Sequence, residues 1–227
     1  MDKLENLRQR FEKLYSGVIY DAMHHDIAYS RPFVVDKAIK PLWKLQKGQV
    51  LFGHAFTCQG QRVLHERDID ETIRLGMFRE FTDGCVQVID TNGDDTVAHF
   101  GDISGKIARK FGCRGAVVDG NTRDACLLEE DQFLIFCRGI QPIDAYGKWQ
   151  IVEYQTDVFL SGIQGKVVVS PNDYIYGDSD GVLVIPSHLV EEVCTFAEKR
   201  LVKENLVREK LRDYSDVQKL NDEIGSW

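Results

Sequence analysis

The stretch GDISGKIARKFGCRGAVVDGNTRD, residues 101–124, constrains the fold more than any other part of the 227-residue chain. Ile103, Ile107, Ala108 and Phe111 recur at helical spacing, and Gly112 supplies the stop. Gly115-Ala116-Val117-Val118 then forms a short unbroken apolar run, the pattern of a buried strand. The run ends in Asp119, Gly120, Asn121, Thr122, Arg123 and Asp124, so a glycine turn and an Arg-Asp pair stand where the strand gives way to a further helix. With its flanks, the segment 64–137 reads strand–helix–strand–helix–strand, the signature of parallel βα units.

The rest of the chain fits around this unit. Leu4, Leu7, Phe11, Leu14 and Tyr15 predict an amphipathic helix over residues 2–15, and SGVIYDAM a second one. QVLFGHAFTCQG and DGCVQVID read as strands, with DIDETIRLGMFREF as a helix opened by acids, which favour a helix N-terminus. After Gly139 the pattern turns to short strands broken by Asn-Asp and Asp-Gly, a β-rich half with hairpin signals. A long charged helix follows, with Ser187 as the expected N-cap, running to Tyr214. The expectation is an α/β protein of one domain, residues 1–190. Residues 191–227 would form a C-terminal helical extension longer than a small core needs, packing on another subunit.

Charge and composition exclude several functions. A net charge of −8 argues against a nucleic-acid surface, which needs clustered positive charge. No segment has the apolar length of a membrane span, and MDKLENLRQRFEKLYSG has too many charges for a signal peptide. The six cysteines form no C-x-x-C pair and sit mostly in apolar runs, which suits reduced, buried thiols in a cytoplasmic protein. The six histidines lack metal-ligand spacing and read as surface or structural residues, and no phosphate-binding glycine loop is present.

Chemistry concentrates at two loops. Residues after the carboxyl end of a parallel strand face the crevice where α/β sheets bind ligands. There Arg123 offers a planar fork of donors for a carboxylate or enolate oxygen, and Asp124 one hard oxygen for Mg²⁺ or Mn²⁺. Gly101, Asp102, Ile103 and Ser104 open a helix whose free N–H groups suit an anion. Each feature also has a plain structural reading: Asp124 as cap of the next helix, Arg123 paired with a nearby acid, Asp102 as an ordinary helix start. Together they suit a 2-oxo acid.

At these residues the chain resembles the RraA-like (regulator of ribonuclease activity A) family, which includes class II 4-hydroxy-4-methyl-2-oxoglutarate/4-carboxy-4-hydroxy-2-oxoadipate aldolases. The segment FGDISGKIARKFGCRGAVVDGNTRD follows the family hallmark nearly step for step, and GHAFTCQG and VVVSPNDYIYGDSDGVLVIP resemble two further family segments. The resemblance implies an α/β/β/α fold assembled as homotrimers or homohexamers, with the site near a subunit interface. It implies a divalent metal held by Asp124 and waters. The carboxylate of a small 2-oxo acid would bind on the amides of Gly101, Asp102, Ile103 and Ser104, with Arg123 as enolate-stabilising cation. Asp102 would hold metal waters or assist proton transfer, and Glu204 would enter from a neighbouring subunit. The implied reaction is aldol cleavage or oxaloacetate-type decarboxylation. The same family also implies an alternative, a non-catalytic protein that binds and inhibits a ribonuclease. Two positions depart from the pattern: Leu127 stands where the aldolases carry an acid three residues after the metal-binding aspartate, and Asn172 where glycine is usual.

Overall fold

The computed structural model describes residues 3–65, 70–212 and 216–225. The chain opens with α1 (Lys3–Phe11) and α2 (Ser16–Asp21), which runs on into a π-helical turn, Ala22–Asp26. Then come β1 (Lys40–Pro41), the long β2 (Leu51–Arg62), α3 (Glu71–Arg79), β3 (Cys85–Asp90), β4 (Ala98–Phe100), α4 (Asp102–Lys110), β5 (Gly115–Thr122), α5 (Ala125–Glu130) and β6 (Leu134–Ile140). The second half holds β7 (Trp149–Tyr154), β8 (Val158–Leu160), β9 (Val167–Val169), β10 (Tyr174–Gly177) and β11 (Val182–Ile185), then α6 (Val190–Lys210) and α7 (Val217–Ile224).

One mixed sheet organises the molecule, in the order β1-β6-β5-β3-β2-β10-β11, with β4 added on β5 and β7 on β2. The pairs β2–β3, β3–β5 and β5–β6 are parallel, as the βα pattern predicts, and the pairs at either end of the order are antiparallel. Alternation along the strands separates two cores. Cys85, Ile89, Ala116 and Val118 face α3, α4 and α5, while Val86, Val88 and Val117 face the β8–β9 hairpin. A third core joins α1, α2 and the first half of α6 to the outer face of β2, β10 and β11, where Phe11 stacks on Phe52 at 4.3 Å. The α/β/β/α layering expected from the resemblance is therefore the observed fold.

Local chemistry explains most boundaries. Gly112 has φ +92°, and its N–H and that of Cys113 return to the carbonyls of Arg109 and Ala108, closing α4 at the expected glycine. Asn172 adopts φ +69°, a left-handed conformation that asparagine tolerates where glycine would be the default. The aspartates of PNDYIYGDSDG serve turns, as their pattern suggests: Asp173 accepts from the N–H of Ser170 and Ser187, and Asp178 from those of Ser16 and Asp180. Asp90 and Asp119 receive the N–H groups of Phe159 and Ser161, which ties the β8–β9 hairpin to the parallel strands.

Some boundaries differ from expectation. The first helix ends at Phe11, four residues early. Ser187 is not the cap of α6: its N–H goes to Asp173, and the helix begins after Leu189 without a side-chain cap. α6 ends at Lys210, short of the expected Tyr214, and α7 lies beyond that end; residues 213–214 of the expected helix, like Asp68 and Ile69 of the earlier one, lie outside the described residues. Val190, Val193, Cys194 and Ala197 are buried with α1 and α2, so the opening turns of α6 belong to this core. Five cysteines are buried, and burial pushes the Cys58 thiol up to about 12; Cys126 is exposed. Among the described residues no helix is long and apolar enough to cross a membrane.

Candidate active site

The two loops singled out in the sequence meet. β4 pairs in parallel with the end of β5, so Phe100-Gly101 runs beside Thr122-Arg123. The Arg123 N–H and the Thr122 hydroxyl both donate to the Phe100 carbonyl, at 3.0 Å each. Gly101 then caps α4 in extended conformation, and its lack of a side chain is a matter of space: a Cβ there would sit 2.6 Å from Asp124 Oδ2. The Asp102 N–H points at that same oxygen, at 3.3 Å. Arg123 Nε lies 3.5 Å from it, and Arg123 Nη1 4.0 Å from Asp144 Oδ2.

Asp124 is the conspicuous residue of the group. It holds φ +59° and ψ +36°, a left-handed conformation that costs a non-glycine residue energy, and its side chain makes no capping bond to α5. The plain reading of Asp124 as a helix cap is thereby set aside, while that of Arg123 as partner to nearby acids holds, with Asp124 and Asp144 both within 4.0 Å. Asp102 is buried and pairs with Lys106 Nζ at 3.0 Å; that ammonium, itself shared with Asp131, holds the Asp102 carboxyl below its usual range. Through its backbone N–H Asp102 reaches the Asp124 carboxylate, which stands beside Arg123.

All of this borders a cavity of about 440 Å³. Gly101, Ile103, Ser104, Arg123 and Asp124 line it; Asp102 stands behind them. Several lining residues had no sequence signal strong enough to single them out: Glu71 and Arg74 from α3, Gln87 from β3, His99 from β4, and Asp144, Tyr146, Trp149 and Gln150 from the segment reaching β7. Gln87 alone left a trace, as the one polar residue inside the apolar run CVQVI. His99 is structural, as its lack of ligand spacing suggested. Its Nδ1 accepts from the Asn121 N–H at 3.2 Å, its Nε2 faces Asp94 at 3.2 Å, and its ring stands edge-on to Trp149 at 4.7 Å. Desolvation pushes its pKa down, more than Asp94 restores it.

Leu127, Glu129 and Glu130 of α5 do not line the cavity, and Leu127 is exposed. Within the chain Glu204 is not brought to Arg123 either. It lies on α6, bonded to the Tyr15 hydroxyl and Arg208, beside a separate surface hollow with Asp21, Asp26 and Arg200.

A family model described as RraA-like, aldolase/RraA, matches residues 17–184. A protein of Halalkalibacterium halodurans named "Putative 4-hydroxy-4-methyl-2-oxoglutarate aldolase" is 37% identical over 131 residues, 58% of this chain and 60% of that one. The matched part therefore spans less than two thirds of that relative. Among solved structures, one described as novel cellulases from microbes associated with the gut ecosystem superposes with a TM-score of 0.81 at 26% identity, over 90% of this chain and 87% of the other. RraAS2 of Streptomyces coelicolor, described as an unusual member of the RNase ES inhibitor RraA family, gives 0.74 at 23% identity over 92% and 97%.

Proposed function

Because this chain belongs to the RraA-like family, whose model covers residues 17–184, we propose that it is a divalent-metal-dependent carbon–carbon lyase acting on a 2-oxo acid through a pyruvate-like enolate. The observation that carries this reading is the convergence of Arg123, Asp124 and the first amides of α4 on one cavity mouth. An aldolase-family function agrees with the relatives' names.

The residues suit a hard cation. Asp124 is spent on no cap and Asp102 stands against it, while no cluster of three or more His, Cys, Asp or Glu occurs among the described residues. Mg²⁺ or Mn²⁺ would thus be held by Asp124 and water, the usual arrangement for a cation that keeps most of its hydration. When bound, the cation supplies Lewis-acid polarisation of the 2-oxo group. The N–H groups of Asp102, Ile103 and Ser104 form the positive end of α4, where a substrate carboxylate would take the place of the Asp124 oxygen that the Asp102 N–H meets. Arg123 donates to the oxygen that becomes the enolate as the C3–C4 bond breaks. Asp102, kept ionised by Lys106, receives the proton of the C4 hydroxyl through water; C4 leaves as a carbonyl, and protonation at C3 completes pyruvate. Decarboxylation of oxaloacetate would use the same enolate, with CO₂ leaving in place of the carbonyl product.

The proposal extends to assembly as a homotrimer or homohexamer. Ile103, Leu127, Ile140, Ile143 and Tyr146 are exposed on the elements around the mouth, more apolar surface than a lone site rim needs. In such an assembly Glu204 of a neighbouring copy would complete the site. The deciding test is methyl-proton exchange of pyruvate in D₂O, followed by NMR with Mg²⁺ or Mn²⁺. Exchange should require metal and vanish with EDTA and in Asp124→Ala. A folded, metal-supplied chain without exchange would move the reading to the ribonuclease regulator.

A further inference from the structure

The end of β5 is held by one bulged residue of its neighbour. β4 pairs Ala98 with Asn121 and Phe100 with Thr122, so two steps on β4 answer one on β5, and His99 is the extra residue. A bulge re-aims the side chain it carries. The His99 side chain is turned against β5 and fully buried, and its Nδ1 accepts from the Asn121 N–H at 3.2 Å.

The surroundings settle which ring nitrogen carries the proton. Oδ1 of the buried Asp94 lies 3.2 Å from His99 Nε2, and the same carboxylate accepts from the Thr96 N–H and hydroxyl and pairs with Arg62. An ionised carboxylate has no proton to give, so Nε2 donates and Nδ1 is the bare nitrogen. The ring has little room to turn. It stands edge-on to Trp149 at 4.7 Å, and a Cβ on Gly120 would lie 2.6 Å from Nδ1. With both nitrogens engaged, His99 is neither a free base nor a ligand, although it lines the cavity.

The bond to Asn121 holds the segment that carries the site. Three consecutive residues are tied to His99 and Phe100. Asn121 reaches the ring through its N–H, while the Thr122 hydroxyl and the Arg123 N–H both reach the Phe100 carbonyl. Asn121 is gripped by its side chain too, where Nδ2 donates to the Asp95 carbonyl at 2.9 Å. The next residue is Asp124 at φ +59°, and a left-handed non-glycine residue persists only where its surroundings over-determine it. The ties at residues 121–123 are such surroundings.

We propose that His99 is a positioning residue: in its Nε2–H form it fixes, through Asn121, the place from which Arg123 and Asp124 reach the cavity mouth. What those two residues then do rests on the lyase reading; their placement does not.

Two substitutions separate placement from bulk. Asparagine puts an oxygen where Nδ1 stands, so it keeps an acceptor for the Asn121 N–H and gives up Asp94. Glutamine keeps a donor for Asp94 and is nearer to histidine in size, but it gives up that acceptor. Two measurements on the full chain read the difference: amide hydrogen exchange of Asn121 by NMR, and kcat and KM for exchange of the pyruvate methyl protons with Mg²⁺. His99→Asn should keep the Asn121 amide protected, and His99→Gln should expose it. Pyruvate exchange should be about 10- to 100-fold slower in His99→Gln than in His99→Asn, chiefly in kcat, the cost of a misplaced catalytic group. The opposite order in either measurement, or equal losses in the two variants, overturns the proposal, because a residue that only fills the core is better replaced by glutamine. If neither variant folds, the nitrogen chemical shifts of His99 in the wild-type chain decide: a proton on Nδ1 overturns the proposal, and a bare Nδ1 hydrogen-bonded to the Asn121 amide upholds it. Asn121 protection in the expected order, without pyruvate exchange by the wild type, upholds the placement and rejects the lyase chemistry instead.

Discussion

Asp124 combines a strained backbone with an uncapped carboxylate, and the two are separable by mutation. Glycine accepts φ +59° freely, whereas alanine keeps the strain and loses the side chain. Asp124→Gly should therefore unfold at higher urea than Asp124→Ala, by about 1 kcal/mol, although both lack metal-dependent exchange. Equal stability of the two would mean that the left-handed conformation costs nothing here. Gly101 is constrained by proximity instead: the methyl of Gly101→Ala would press on Asp124 Oδ2 at 2.6 Å. Exchange should fall roughly 10- to 100-fold with the thermal midpoint little changed, and an unaffected rate would show that the carboxylate can yield. His99 gives the pH dependence its sign. Its folded pKa lies below the ordinary histidine value, so on acidification the unfolded chain protonates first. The stability it contributes is whole above about pH 6.5 and drains away as pH falls towards its lowered pKa. His54, also lowered by burial, adds to the same slope. Thermal melts from pH 7.5 to 5 should fall accordingly, and less steeply for His99→Gln.

At the scale of elements, α1 and α6 are held by the third core rather than by their own helical propensity. Phe11 is fully buried, stacked on Phe52 and tilted against Tyr176, whose hydroxyl donates to the Leu14 carbonyl at 2.8 Å. Phe11→Ala should cost about 3–5 kcal/mol in chemical denaturation, while the exchange rate per folded molecule stays near wild type, because the parallel strands position the site independently. A loss of exchange in the folded variant would mean that α1 braces the loops. The misplacement of Ser187 as a cap has the same origin: Asp173, fourteen residues earlier in sequence, claims its N–H, and α6 starts two residues later.

At the scale of the whole molecule, the exposed apolar residues around the mouth belong to the proposed assembly. Light scattering should give the mass of a trimer or hexamer, and Ile140→Glu or Leu127→Glu should reduce it, since a buried unpaired charge is costly at an interface. A wild-type monomer would remove the neighbouring-copy role of Glu204. The parallel core was legible in the sequence because strands buried on both faces must be continuous apolar runs bounded by turn residues, as in GAVVDG and CVQVID. The order β6-β5-β3-β2-β10 was not, because strand pairing across the sheet is a long-range choice to which local pattern is blind, whereas the Asp-Gly turn between β10 and β11 marked that antiparallel hairpin.

The sequence by itself determined the α/β class, the family, and the pair of loops that bear Arg123 and Asp124, because each is written in contiguous residues. Only the tertiary structure decided what stands opposite those loops. Gln87, Arg74 and Trp149 come from three elements with no shared motif. They become one wall only when α3 and β7 close over β3.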